Sequence, residues 1–133
     1  MRVVKNAKIT STTPWLISTP WPYLDTAGER PKQGEYVFVQ VDTDEGISGV
    51  GEGGRGGSLA SLESDWIGAD PLAANLGASG GAMGMALYDI VGKALGVPAW
   101  KLMGSKHWDR VPVGWWSPPL EPREFAAMAE EGV

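Results

Sequence analysis

The sequence predicts an α+β fold, a three-stranded antiparallel meander followed by helices, closed by a strand–helix pair that opens an alternating β/α pattern. Three observations carry this. Ahead of Gly53 the apolar residues alternate with a period of two, most plainly in YVFVQV (Tyr36 to Val41). Beyond Ala82 they recur every three or four residues. At Val111 a second β-type run, VPVGWW, begins, and a helix-compatible stretch follows it.

Taken in order, Val3 to Thr13 alternates weakly and is expected as the first strand. Thr13 to Glu35, TPWLISTPWPYLDTAGERPKQGE, holds four prolines and two glycines. Proline fixes φ and lacks the N–H that a helix interior or ladder requires, so this stretch reads as a long loop carrying Trp15, Trp21 and Tyr23. Asp42-Thr43-Asp44-Glu45-Gly46 is a turn signal, and Ile47 to Glu52 alternates again, which makes Tyr36 to Glu52 a β-hairpin. Gly53 to Ser58 is glycine-dense loop. Leu59 to Trp66 has room for about two helical turns and Leu72 to Leu76 for a shorter piece.

From Ala82 onward, Met83, Leu87, Ile90, Val91, Ala94 and Leu95 line one helix face, with Asp89 and Lys93 four apart and pairing on the other. Gly96 suits a left-handed stop and Pro98 cannot continue the helix. Ala99 to Met103 offers a short further turn ended by Gly104. Glu121 to Glu130, after Pro118-Pro119, reads as the start of another helix.

The chain of 133 residues, with 19 Gly and 10 Pro, is long enough for one turn-rich domain and the opening of another. A net charge of -5 with no basic run argues against a nucleic-acid partner. There is no cysteine and one histidine, His107, so a thiolate zinc site and a histidine metal cluster are both excluded and any metal would need carboxylates. Neither a secretory-type leader nor an apolar run of membrane-spanning length is seen, which makes a soluble cytoplasmic protein without a membrane partner the expectation.

VFVQVDTDEGISGVGEG (Val37 to Gly53), WIGADP (Trp66 to Pro71), ALYDIVGKALGVPAWKLMG (Ala86 to Gly104) and RVPV (Arg110 to Val113), in this order, resemble the amino-terminal capping domain of the mandelate racemase and muconate lactonizing enzyme branch of the enolase superfamily. The resemblance implies an enolase-like capping domain over residues 1–104. Residues 105–133 would then be a connector and the truncated start of a TIM-like (β/α) barrel. It further implies that the intact parent abstracts a proton next to the carboxylate of a small carboxylate or sugar acid with Mg²⁺. Sugar-acid dehydration is preferred over racemization or another isomerization. Members of that family commonly form homo-oligomers through capping and barrel surfaces. The base and metal ligands of the family lie on later barrel strands, so this chain is expected to bind no cofactor itself, to contain no catalytic residue and to be inactive alone. The region between Gly53 and Ala82 is shorter than the family's helical region.

The candidate substrate-binding residues are Trp15, Trp21 and Tyr23 on the loop that would close over the barrel mouth, Arg55 on the second capping loop, and Trp115 and Trp116 at the end of the first barrel strand, where TIM-barrel sites gather. Core packing competes with that role for each tryptophan, and ordinary solvation for Arg55. Gly49 to Gly54 fits GxGxxG, with Asp70 downstream, but the glycines end a hairpin strand; nucleotide binding there is a remote alternative, and a helix N-cap is the plainer role for Asp70. Asp42, Asp44 and Glu45 read as a solvated acidic turn, and His107 as a surface residue. A rival in another class is a stand-alone binding module that keeps the capping fold and uses the aromatic loop as its contact surface.

Overall fold

The β-branched, alternating segments form three strands, β1 (Ile9–Thr19), β2 (Gly34–Thr43) and β3 (Ser48–Gly53), in one antiparallel sheet of order β1-β2-β3. The computed structural model describes residues 4, 6–19, 34–53, 65–114 and 120–131. These divide between two compact units, one of Met1–Ile17 with Glu35–Lys106 and the other of Ser18–Gly34 with His107–Val133.

In the first unit, β2 and β3 form the hairpin that the alternation predicts, with Val39 opposite Gly51 and Val41 opposite Gly49. Period-two geometry sends Val37, Val39, Val41 and Thr43 to the buried face. Gly46, at φ 72, supplies the left-handed turn residue. Thr43 locks the turn with its hydroxyl, which donates to the Ile47 carbonyl at 2.8 Å and accepts the Ile47 N–H at 3.1 Å.

Strand β1 departs from expectation. It begins at Ile9 rather than Val3 and runs through Thr19, so Pro14 and Trp15 lie on a strand and not on a loop. Prolines within sheets occur on edge strands, and β1 is an edge of the sheet.

The main helix, α1 (Gly81–Leu95), covers the sheet through β3. Gly49, Gly51 and Gly53 share one face of β3. A Cβ built at Gly49 or Gly51 would overlap the backbone carbonyl oxygen of Ala86 or Ala82, and one at Gly53 would sit 3.3 Å from the Ala82 methyl. The helix contributes Ala82, Ala86 and Ile90, spaced by four, to the same contact. Around it Ile9, Val39, Val41, Met83 and Leu87 complete the core, each large side chain stabilising the fold by about 1.5–3 kcal/mol on burial.

Five of the six residues expected on the apolar face of α1 are buried, and Leu95 is the exception at 45% exposure. It occupies the last helical position, where the chain turns away. Gly96 closes the helix at φ 66, with the Val97 N–H reaching back to the Gly92 carbonyl at 2.9 Å and the Gly96 N–H to that of Lys93 at 3.2 Å. The short α2 (Trp100–Met103) follows, ended by Gly104 as expected.

The helix expected over Leu72 to Leu76 is absent, and residues 71–78 make successive turns instead. Asp70 explains it. Its carboxylate accepts the Leu72 N–H at 2.8 Å and its carbonyl the Ala73 N–H at 3.2 Å, so it caps a turn that buried Pro71 anchors. Just upstream, Ile9 exchanges backbone bonds with Ala69 (2.9 Å) and Gly68 (2.8 Å), which ties this segment to β1. The helix expected over Leu59 to Trp66 lies mostly outside the described residues, and Asp65–Gly68 is turn.

In the second unit, α3 (Pro122–Glu131) forms where the helix was expected. The strand expected over Val111 to Trp116 is not formed over residues 111–114, where Val111 and Val113 are exposed; residues 115 and 116 lie outside the described set. An extended apolar run becomes a strand only when a neighbour completes its ladder.

The glycine face of β3 predicts a sharp asymmetry. Gly51→Ala should destabilise the chain by about 1–3 kcal/mol, because backbone rather than a flexible side chain must move, and Glu52→Gln on the opposite face should change it by less than about 0.5 kcal/mol. Urea denaturation of the two variants checks this, and an unchanged midpoint for Gly51→Ala would refute the close approach.

Candidate functional site

The meander sends the chain out of the sheet at the same end after β1 and after β3. β1 leaves, β2 enters and β3 leaves at that end, while the Asp44–Gly46 turn closes the other. Trp21 and Tyr23, between β1 and β2, and Arg55, after β3, lie outside the described residues, as do Trp115 and Trp116. Of the six candidate binding residues only Trp15 is described. It lies on β1 and is 42% exposed, beside Leu16 and Ile17 at 54% and 42%.

The turn at the far end is not a simply solvated acidic cluster. Asp42 accepts Ser48 Oγ at 2.6 Å, Ser11 Oγ at 2.7 Å and Gln40 Nε2 at 2.8 Å, so one carboxylate joins all three strands. The Ser48 bond first, then that from Ser11, holds its pKa below the ordinary 3.8; partial burial opposes them, and Gln40 adds to the lowering. Asp44 binds the start of β1, accepting the Lys8 N–H at 2.7 Å and donating its own N–H to the Lys8 carbonyl at 3.0 Å. The register places Ser48 opposite Asp42. That pairing was available from the hairpin alone; the contribution of Ser11 from β1 was not.

Asp89 and Lys93 pair at 2.7 Å, as their spacing predicts, but they do not simply face solvent on the far side of α1. Lys93 Nζ donates to the Ser48 carbonyl at 2.7 Å and the Val50 N–H donates to Asp89 at 3.2 Å.

No catalytic pair of nucleophile and base arises from these contacts. Among the described residues no group of three or more His, Cys, Asp or Glu is placed to hold a metal ion. His107 is exposed. The GxGxxG reading loses its physical basis, since the backbone of Gly49 and Gly51 that a pyrophosphate would approach is covered by Ala86 and Ala82. No helix among the described residues is long and apolar enough to cross a membrane.

A three-stranded antiparallel meander with a helix closed over its third strand is the enolase-like amino-terminal fold. A mandelate racemase/muconate lactonizing enzyme from Roseovarius nubinhibens superposes over 95% of this chain and 42% of its own, with a TM-score of 0.70 at 24% identity. An enolase from Pseudomonas fluorescens, whose crystal structure holds magnesium, potassium and tartrate, does so over 97% and 43%, at 0.71 and 21%. Among curated proteins the chain is similar to the D-galactonate dehydratase of Variovorax paradoxus, 33% identical over 105 residues, which is 61% of this chain and 28% of that protein. It is also similar to the one from Klebsiella pneumoniae, 28% identical over 144 residues, 90% and 34% of the two. The D-galactonate dehydratases are members of the enolase superfamily. The chain therefore spans 28% and 34% of the length of these two relatives. No family model matches the chain.

Asp42 has a pH signature. Its folded-state pKa is depressed, so its contribution is complete above the ordinary carboxylate range near 3.8 and is lost as pH falls through the lowered value. In urea titrations the lead of the wild type over Asp42→Asn at pH 7 should shrink below about pH 4; a constant lead at every pH would contradict this account.

Proposed function

We propose that the chain is the capping and substrate-enclosing part of an enolase-superfamily enzyme, with residues 1–104 the capping domain and 105–133 the connector and opening of a (β/α) barrel. The observation that carries this is the enolase-like fold of the described residues, joined to 33% identity over 105 residues with a D-galactonate dehydratase. The favoured reaction is Mg²⁺-dependent abstraction of the proton α to the carboxylate of a sugar acid, followed by dehydration; racemization of a small carboxylate is the neighbouring activity.

Within that reading this chain's work is enclosure. The sheet is a rigid base, held by the glycine-face contact and by Asp42, from whose one end the segments bearing Trp21, Tyr23 and Arg55 leave. Aromatic faces suit the apolar side of a sugar-acid chain and exclude water, and a guanidinium suits its carboxylate. Trp15, Trp115 and Trp116 are further lining candidates in the intact protein. Mg²⁺ would supply electrostatic stabilisation of the enediolate, and on the family resemblance its ligands and the base would come from later barrel strands.

Two measurements test this. The purified 133-residue chain should not turn over D-galactonate with Mg²⁺, whereas the same chain continued through a barrel should do so. In that longer protein, Arg55→Ala should raise KM about tenfold or more, with a smaller change in kcat. Turnover by the short chain, or an Arg55→Ala enzyme with unchanged KM, would sink the respective parts of the proposal.

A further inference from the structure

β3 is an edge of the sheet, and an edge strand presents N–H and C=O groups on which another strand can pair. In an antiparallel ladder the groups of alternate residues point to the same side, so Ser48 and Val50 share the open side while Gly49 and Gly51 face β2. On that open side the Ser48 carbonyl accepts Lys93 Nζ at 2.7 Å and the Val50 N–H donates to Asp89 Oδ2 at 3.2 Å. The two side chains are bound to each other at 2.7 Å. A cation stands where a neighbouring strand's N–H would donate, and a carboxylate stands where its C=O would accept.

We propose that the Asp89–Lys93 pair is an edge guard that occupies the ladder positions of a fourth strand and keeps a second copy of this chain from adding along β3. Stability alone does not explain the arrangement. The side chains of Lys93 and Asp89 are 52% and 37% exposed, and pairs so exposed contribute roughly 0–1 kcal/mol. The strand itself has few other defences. SGVGEG contains no proline and no lysine, and its one charged residue is Glu52. A second β3 is the fitting occupant because two such edges pair antiparallel about a two-fold axis, each offering the same Ser48 carbonyl and Val50 amide to the other.

The test is hydrogen exchange at single amides with sedimentation. In dilute, monomeric Asp89→Ala/Lys93→Ala, the Val50 amide should exchange about fivefold or more faster than in the wild type, with Gly51, bonded toward β2, changed far less. At rising concentration the double variant should self-associate beyond the wild type. Adding Val50→Pro, which deletes the outward donor at an edge position that tolerates proline, should reverse the association. The unmodified chain gives a second readout should the double variant fold poorly. Raising salt from about 0.01 to 1 M screens the exposed pair and should accelerate Val50 relative to Gly51. Unchanged Val50 exchange in both experiments, association no greater than wild type, or association that survives Val50→Pro would each overturn the proposal.

Discussion

The close approach of α1 to the glycine face of β3 is the constraint on which the rest of this structure depends. With Gly49 and Gly51 the helix backbone comes down onto the strand backbone, and Ala82 and Ala86 keep the helix side equally thin. Only at that separation do Leu87 and Ile90 reach Val39, Val41 and Ile9 to form one core. Alanine in place of either glycine would lift the helix away and thin the dispersion contacts of every residue beneath it. A phosphate-binding reading of the same glycines fails for this reason. Their lack of side chains is used up by a helix, so no open backbone remains for a ligand.

That approach also sets what the charged residues of α1 can do. Asp89 and Lys93 sit one and two turns beyond Ala86, close enough to β3 for both to reach backbone atoms on its open side. At a larger helix–strand distance the pair would be an ordinary surface i,i+4 pair of a few tenths of a kcal/mol. Asp42 acts on the same sheet from its turn end, where three donors compensate a partly buried carboxylate and draw β1, β2 and β3 together. Paired side chains thus hold the edge and the end of the three-stranded sheet that the described residues form.

Several features were legible in the sequence because they depend on local periodicity and chain chemistry. The hairpin followed from alternation on both sides of a Gly-containing turn, and α1 with its left-handed glycine stop followed from three-and-four spacing. The blocks from Val37 to Gly104 identified the capping fold. Features that rest on distant partners were less legible. Pro14 made the stretch around Trp15 look like loop, yet the chain there forms an edge strand, where a proline can occur. Leu72 to Leu76 looked long enough for helix, but Asp70 and Pro71 bend it into turns. VPVGWW has strand composition, and composition cannot provide a ladder partner. At the candidate site, residue types were readable and geometry was not: Trp15 proved to be on β1, and the acidic turn proved to contain a three-strand junction.

By itself the sequence determined the β2–β3 hairpin, the helix α1 with its glycine stop and the family resemblance, all of which follow from period, turn residues and the order of blocks. Only the tertiary structure decided what the glycines of β3 face, which strands Asp42 joins and what Asp89 and Lys93 bind. Those outcomes depend on how β1 pairs with the hairpin and on the helix-to-sheet distance, both set by the summed packing of residues far apart in the chain and absent from any local pattern.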